Sequence, residues 1–214
     1  MIRVALLSLA LAACSKSETP EARQLDPRVI EVVEGARLRT DTVGEAQFAS
    51  TASFVLVDAK NPTPDGAYVT LAGQLLGEGG PVIGELKAQS LWIPAGERRT
   101  FALVDTERVP RPSTASARIV VTGALVTHDG PRAHIADLHT FQDNGRTVVQ
   151  ANLVNDADRV GKIVVIAAFH GADDRPMTRP FEIVEIDRKQ TRPVQFVGPD
   201  KSTTGTIFVG DVVY

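Results

Sequence analysis

The side chains best suited to chemistry in this sequence are four histidines and the aspartates near three of them. Imidazole and carboxylate groups are the usual ligands of zinc and copper, and the same groups can activate water for hydrolysis. The residues are His128, His134, His139 and His170, with Asp129, Asp137 and Asp143 nearby. On a regular strand, His134 and His139 are five positions apart and point to opposite faces. The spacing therefore favours surface or hydrogen-bonded histidines over a shared metal site.

No other arrangement of side chains in the sequence matches a catalytic motif. The sequence lacks a Gly-x-Ser-x-Gly nucleophile elbow, a Walker-type phosphate loop and a His-Glu-x-x-His zinc motif. The paired carboxylates Asp173 and Asp174 lie in a segment, 171–174, that is typical of a solvated turn. We therefore predict no catalytic residue, no cofactor and no resident metal.

Cys14 is the only cysteine of the chain, and it closes a short apolar run. Arg3 supplies a positive charge before that run, which covers residues 4–13. This order is typical of a secretory signal, and ten residues are too few for a bilayer-spanning helix, which needs about 20. An ordinary cleaved signal followed by a free thiol would show the same features.

The residues at 11–14, Leu-Ala-Ala-Cys, are similar to the processing site of the bacterial lipoprotein family. The resemblance implies that the signal peptide 1–13 is removed and that Cys14 becomes a palmitate-bearing, triacylated N-terminus. Two membrane signals suffice for stable anchoring, and each buried CH₂ contributes about 0.8 kcal/mol. By the same resemblance, Ser15 favours the outer membrane. The expected location is the cell envelope, lipid-anchored, with the leaflet and the periplasmic or surface-exposed side left open.

The charge of the mature chain limits the classes of partner that can be expected. Loss of Arg3 with the signal reduces 23 basic residues to 22, against 26 acidic ones, for a net charge of −4. Both signs are interspersed, so we expect no nucleic acid partner and membrane contact through the acyl chains alone. Residues 14–27 hold two prolines and only one large aliphatic residue, Leu25, and predict a flexible tether after the lipidated cysteine.

From residue 28 onwards the apolar residues recur with a period of two, which predicts strands. Short β-branched runs separated by Gly, Pro, Asn and Asp are typical of β-sandwiches. Residues 28–40 could also form a short helix, although Gly35 and the alternation favour a strand. The sequence predicts an all-β chain with two immunoglobulin-like β-sandwich domains in tandem, at 28–127 and 131–214.

The two predicted domains repeat one pattern with an offset of roughly 90 residues. The strand that ends at Asn61 corresponds to the strand that ends at Asn155, and Pro81 corresponds to Pro176. Identities are sparse, so the preserved order and spacing carry the inference of an internal duplication. Within the second domain, the Asn-Gly pair at 144–145 predicts a type I′ hairpin that joins a strand at 133–142 to one at 146–155.

Each half resembles the FxLYD-type and related immunoglobulin-like modules of secreted bacterial proteins and lipoproteins. The nearest counterpart of the Phe-x-Leu-Tyr-Asp string is Phe-Val-Leu-Val-Asp at 54–58, in which Val replaces Tyr. Segments 71–77 and 166–171 occupy the central-strand position. The resemblance covers residues 45–214 and implies a fold and a binding role rather than an enzymatic activity.

The expected function is a non-catalytic binding or scaffolding module for another envelope protein, through strand edges or loops. The alternative is a metal-binding or hydrolytic periplasmic protein that uses the region from His128 to His139. A carbohydrate-binding protein, the third hypothesis, would need exposed aromatic side chains on one face. Trp92, the only tryptophan, is instead expected in the core because Leu91 and Ile93 flank it.

Overall fold

A computed structural model of the protein describes residues 22–44, 47, 49–127 and 130–213. The predicted signal peptide, Cys14, residues 15–21 of the tether, and His128 with Asp129 lie outside the described residues. The described chain forms antiparallel strands, with a 3₁₀ turn at Pro27–Val29 and without an α-helix, so the all-β prediction is confirmed. No helix in these ranges has the length and apolarity needed to cross a membrane.

The described strands fall into an N-terminal half, 23–126, and a C-terminal half, 133–213. The N-terminal strands are β1 (Arg23–Gln24), β2 (Glu31–Val32), β3 (Arg37–Val43), β4 (Ser50–Lys60), β5 (Ala67–Gly77), β6 (Val82–Ile93), β7 (Arg98–Val104) and β8 (Thr114–Val126). The C-terminal strands are β9 (Ala133–Asp143), β10 (Arg146–Asn155), β11 (Gly161–His170), β12 (Pro176–Thr178), β13 (Phe181–Ile186), β14 (Thr191–Asp200) and β15 (Thr204–Val213).

Both halves arrange their strands in the same way. In one sheet of the N-terminal half, β4 pairs with β3 and β7, and in one sheet of the C-terminal half, β10 pairs with β9 and β14. In the other two sheets, β5 pairs with β6 and β8, and β11 pairs with β12, β13 and β15. The predicted hairpin of β9 and β10 is confirmed, with positive φ angles at Asn144 (49°) and Gly145 (77°).

Each half has an apolar cluster between its two sheets, built from alternate residues of the central strands. Every second residue of β5, including Val69, Leu71 and Leu75, is buried in the first cluster. In the second cluster, Val165 and Phe169 of β11 face Leu153 of β10. Full burial of one such large side chain contributes about 1.5–3 kcal/mol. The period-two pattern of the sequence therefore reflects the core of each sheet pair.

Asn61 and Asn155 close the central strands β4 and β10 with the same set of hydrogen bonds. Both side chains are fully buried, and each Nδ2 group donates to three backbone carbonyls. The acceptors are Asp65, Ile93 and Pro94 for Asn61, and Arg159, Ile186 and Asp187 for Asn155. Each Oδ1 also accepts from the backbone N–H two residues further on. The spacing that the sequence repeats thus places one structural device in both halves.

The folded part begins earlier than the sequence indicates. Residues 23–27 were predicted as tether, but Arg23 and Gln24 form β1, which pairs with β8, and Leu25 packs against the first cluster. The flexible-tether prediction is therefore wrong for this end of the segment. Its polar composition concealed the pairing because an edge strand is held by backbone hydrogen bonds. The alternative of a short helix at 28–40 is replaced by a 3₁₀ turn followed by β2 and β3.

Candidate functional site at the junction of the two halves

The C-terminal half packs directly against the N-terminal half through one face of β11. Since Val165, Ala167 and Phe169 point into the second cluster, the alternate residues Ile166 and Ala168 point away from it. Both are nonetheless buried, and both belong to the apolar cluster of the N-terminal half. The two halves are therefore joined by a continuous apolar contact.

Phe208 of β15 extends this contact, because it lies beside Ile166 on the neighbouring strand β11. Its ring is buried in the first cluster, and the guanidinium carbons of Arg99 and Arg179 lie 5.2 Å and 5.9 Å from the ring centroid. Cations at this range are attracted by the electron-rich ring face, and the attraction strengthens when water is excluded. Arg99 belongs to β7, so the contact ties β15 to the N-terminal half.

A buried polar network lies next to the apolar contact and links β4 to β11. Asp58 and His170 are 2% and 3% exposed, and Asp58 Oδ2 lies 2.8 Å from His170 Nε2. A carboxylate oxygen only accepts hydrogen bonds, so Nε2 carries the proton of this bond. Asp58 Oδ1 accepts from the Thr100 hydroxyl at 2.5 Å, and Arg98 Nη1 lies 3.8 Å from Oδ2. These partners offset the desolvation of a buried carboxylate, which without them would cost several kcal/mol.

Two arginine–aspartate pairs form the outer edge of the junction. Arg98 donates to both carboxylate oxygens of Asp174 at 2.7 Å, which raises the pKa of Arg98 and lowers the pKa of Asp174. Arg37 donates to Asp173 at 2.8 Å. The pKa of Asp173 is lowered first by the backbone N–H of Arg175 and then by Arg37. The turn predicted at 171–174 is present and exposed, but its two carboxylates bind the opposite half.

A groove of about 500 Å³, lined by both apolar and polar side chains, runs beside the junction. Its floor is the outward face of β4 and β7, and its wall is segment 177–181 of the C-terminal half. The lining apolar side chains include Phe54, Leu56, Val104, Met177 and Phe181. Leu56 is 2% exposed, whereas Phe181 is 42% exposed. The groove therefore offers both a closed floor and an accessible apolar wall.

Polar side chains along the groove fix its geometry. Arg39 donates to the backbone carbonyl of Met177 at 3.3 Å, and Arg179 donates through Nε to the carbonyl of Thr100 at 2.7 Å. Gln89 accepts from the backbone N–H of Ala102 at 3.0 Å. The two arginine bonds tie β3 and β7 to the wall, and the Gln89 bond joins β6 to β7.

The histidines considered as metal ligands lie in separate environments where the structure describes them. His134 is half exposed, with Nδ1 3.4 Å from an oxygen of Asp156, and His170 is buried at the junction. His139 lines a shallow surface depression together with Asp137 and Asn152. No group of three or more His, Cys, Asp or Glu side chains suited to a metal occurs among the residues that the structure describes.

A β-bulge in β9 changes the faces predicted for His134 and His139. The register slips where Asp137 adopts a φ of 52°, so that His139 lies opposite Gln150 and His134 opposite Val154. Directly opposite residues share a face, and two positions four apart on β10 also share one. The prediction of opposite faces is therefore wrong because the bulge adds a residue. The separation along β10 is about 13 Å, too far for one shared ion.

Trp92 lies outside the core in which it was expected. Leu91 and Ile93 are buried, so the alternation of β6 places Trp92 on the opposite face. There it is partly buried, with its ring centroid 5.2 Å from that of Tyr68. Leu91 and Ile93 lie in the core, as their apolar character indicated. The alternation of the strand therefore places Trp92 outside the core.

The sequence indicates His170 as a candidate metal ligand and places Asp58 in the string at 54–58, but no sequence pattern pairs the two residues. A signal was present in the sequence, since Asp58 stands inside an otherwise apolar run and His170 ends another. No protein-family model matches the chain, and a search of curated proteins finds no match. The junction is therefore interpreted from its own residues.

Proposed function

We propose that the protein is a lipid-anchored envelope protein, built of two immunoglobulin-like sandwiches in tandem, that binds or scaffolds another envelope protein. It acts without catalysis. The observation that carries the proposal is the groove beside the junction, whose lining includes apolar side chains from both halves. A groove with apolar side chains on its floor and an exposed Phe181 on its wall suits an apolar segment of a protein partner.

The tandem organisation is supported by the equivalent strand pairings and by the equivalent bonds of Asn61 and Asn155. The Phe-Val-Leu-Val-Asp string that resembles the FxLYD-type modules forms part of β4, and it supplies both the groove floor and Asp58. A motif-bearing strand that serves binding fits a module whose role is recognition.

The anchor is tested at Cys14. Cells that express the wild-type chain should incorporate labelled palmitate into it, and the protein should fractionate with membranes. Cys14→Ser should abolish both, because the thioether sulfur is lost, whereas Ser15→Ala should retain the label. An unlabelled wild-type chain in the soluble envelope fraction would show an ordinary cleaved signal and would end the lipid-anchor proposal.

The binding role is tested by crosslinking of the full-length protein in cells, followed by mass spectrometry of what co-purifies from membranes. A reproducible envelope partner is expected with the wild-type chain and should be lost with Phe181→Asp, which places a charge at the groove. Ile183→Asp is the matched control, since Ile183 lies on the same strand and face but does not line the groove. A partner absent above background, or one retained by Phe181→Asp, would contradict the groove as the binding site.

A further inference from the structure

The strand arrangement is shared by the two halves. It identifies a surface of the C-terminal half that corresponds to the surface which the N-terminal half contributes to the junction. Asp58 lies opposite Thr100 across β4 and β7, and the corresponding pair across β10 and β14 is Asn152 and Pro193. In the N-terminal half this face is covered by the C-terminal half. In the C-terminal half it is exposed. We call it the β9–β10–β14 face.

The β9–β10–β14 face has an apolar end beside a polar centre. Val148 lies between Phe141 and Val197 across the three strands. Phe141 is 45% exposed and Val197 is 50% exposed, although both lie next to the buried Val148. The next rung of the sheet carries Gln150 and Gln195. The apolar positions correspond to those of Arg39, Phe54 and Val104, which line the groove in the N-terminal half.

The N-terminal half has an exposed counterpart of the other side of the junction. Ile166 and Phe208 lie opposite each other across β11 and β15, and the corresponding pair across β5 and β8 is Ala72 and Val120. Phe208 is buried in the junction, whereas Val120 is 46% exposed. We call this surface the β5–β8 face. Leu125, 36% exposed, lies on the same strand.

We propose that the β9–β10–β14 face of one molecule binds the β5–β8 face of a second copy, so that the chain associates head to tail. Within one chain, the outward face of β3, β4 and β7 already packs against the outward face of β11 and β15. The corresponding β9–β10–β14 face and β5–β8 face are left exposed. A second copy repeats the contact that the fold itself makes. Because the two faces differ, the association is heterologous and can continue into short linear assemblies.

The polar part of the junction is not repeated in this contact. The positions of Asp58 and His170 are taken by Asn152 and Leu76, so the buried hydrogen bond between Asp58 and His170 has no counterpart between copies. The association therefore rests on apolar contact and is weaker than the junction, hence dependent on concentration. Anchoring at Cys14, where the proposed function holds, would raise the local concentration at the membrane.

The test uses sedimentation velocity on the mature Cys14→Ser protein over a wide range of concentration. Reversible self-association is expected. Val197→Asp and Val120→Asp should each weaken it at least about tenfold, since each places a charge in an apolar contact. Val160→Asp is the matched control, because Val160 is equally exposed but lies in the loop before β11. Thermal unfolding of each variant checks that the fold is intact.

Mixing the two face variants separates the proposed geometry from other assemblies. Val197→Asp retains an intact β5–β8 face, and Val120→Asp retains an intact β9–β10–β14 face, so the mixture should form a one-to-one dimer and nothing longer. A monomer at every concentration would overturn the proposal. So would loss with one variant and no effect of the other, which would show a symmetric contact. These outcomes concern the purified chain and leave the crosslinking test of the proposed function independent.

Discussion

Removal of the Asp58 carboxylate should destabilise the protein far more than any comparable change on an exposed strand face. In Asp58→Ala, the Thr100 hydroxyl and the His170 Nε2–H lose their acceptors inside the junction. A buried polar group left without its partner costs about 1–3 kcal/mol. Two such groups, less some relaxation, predict a loss of about 2–5 kcal/mol in the free energy of unfolding.

His170→Ala should cost a similar amount for the reciprocal reason. It leaves the carboxylate of Asp58 buried with the Thr100 hydroxyl and with Arg98 at 3.8 Å. A buried acceptor left without its donor costs about 1–3 kcal/mol, and more when that acceptor is a carboxylate. Because both changes disrupt one network, the double variant should lose less than the sum, with a coupling energy of about 1–3 kcal/mol.

The measurement is urea unfolding of the four proteins of this cycle, with Asn152→Ala as the matched control. Asn152 occupies the position of Asp58 in the C-terminal half, but it lies on the open β9–β10–β14 face, where its amide donates to Asp137. Its loss should change the free energy of unfolding by no more than about 0.5 kcal/mol. If Asp58→Ala costs no more than this control, or if the two junction changes add without coupling, the account of the junction is refuted.

Asn61→Ala and Asn155→Ala should each lower the free energy of unfolding by about 3 kcal/mol, since each leaves several buried backbone groups without partners; urea melts that show less than about 1 kcal/mol would contradict the equivalence. The lowered pKa of Asp174 means that its pair with Arg98 stabilises above the ordinary aspartate range and is lost as the pH falls below about 4. Asp174→Asn should therefore flatten the acid limb of the stability profile. Zinc titration by calorimetry should show no His139-dependent binding; loss of measured binding in His139→Ala would restore the metal hypothesis.

Local sequence patterns were sufficient to predict the elements that depend on residues close together in the chain. The alternation of Val69 and Leu71 with polar residues identified β5 because side chains of a strand point to opposite faces in turn. The Asn-Gly pair at 144–145 identified the hairpin because its turn requires positive φ at both residues. Asn61 and Asn155 indicated the repeated pattern because each ends a central strand, and the segments around them follow in the same order and with similar spacing.

Tertiary structure decided what depends on residues far apart. Asp58 and His170 are 112 positions apart, and no local pattern states that one buried carboxylate faces one buried imidazole. The bulge at Asp137 arises from the pairing of β9 with β10, and it reversed the relative faces of the histidines. The sequence by itself determined which face of each strand is apolar. Only the packing of the halves decided which outward faces become buried, because burial depends on what lies opposite.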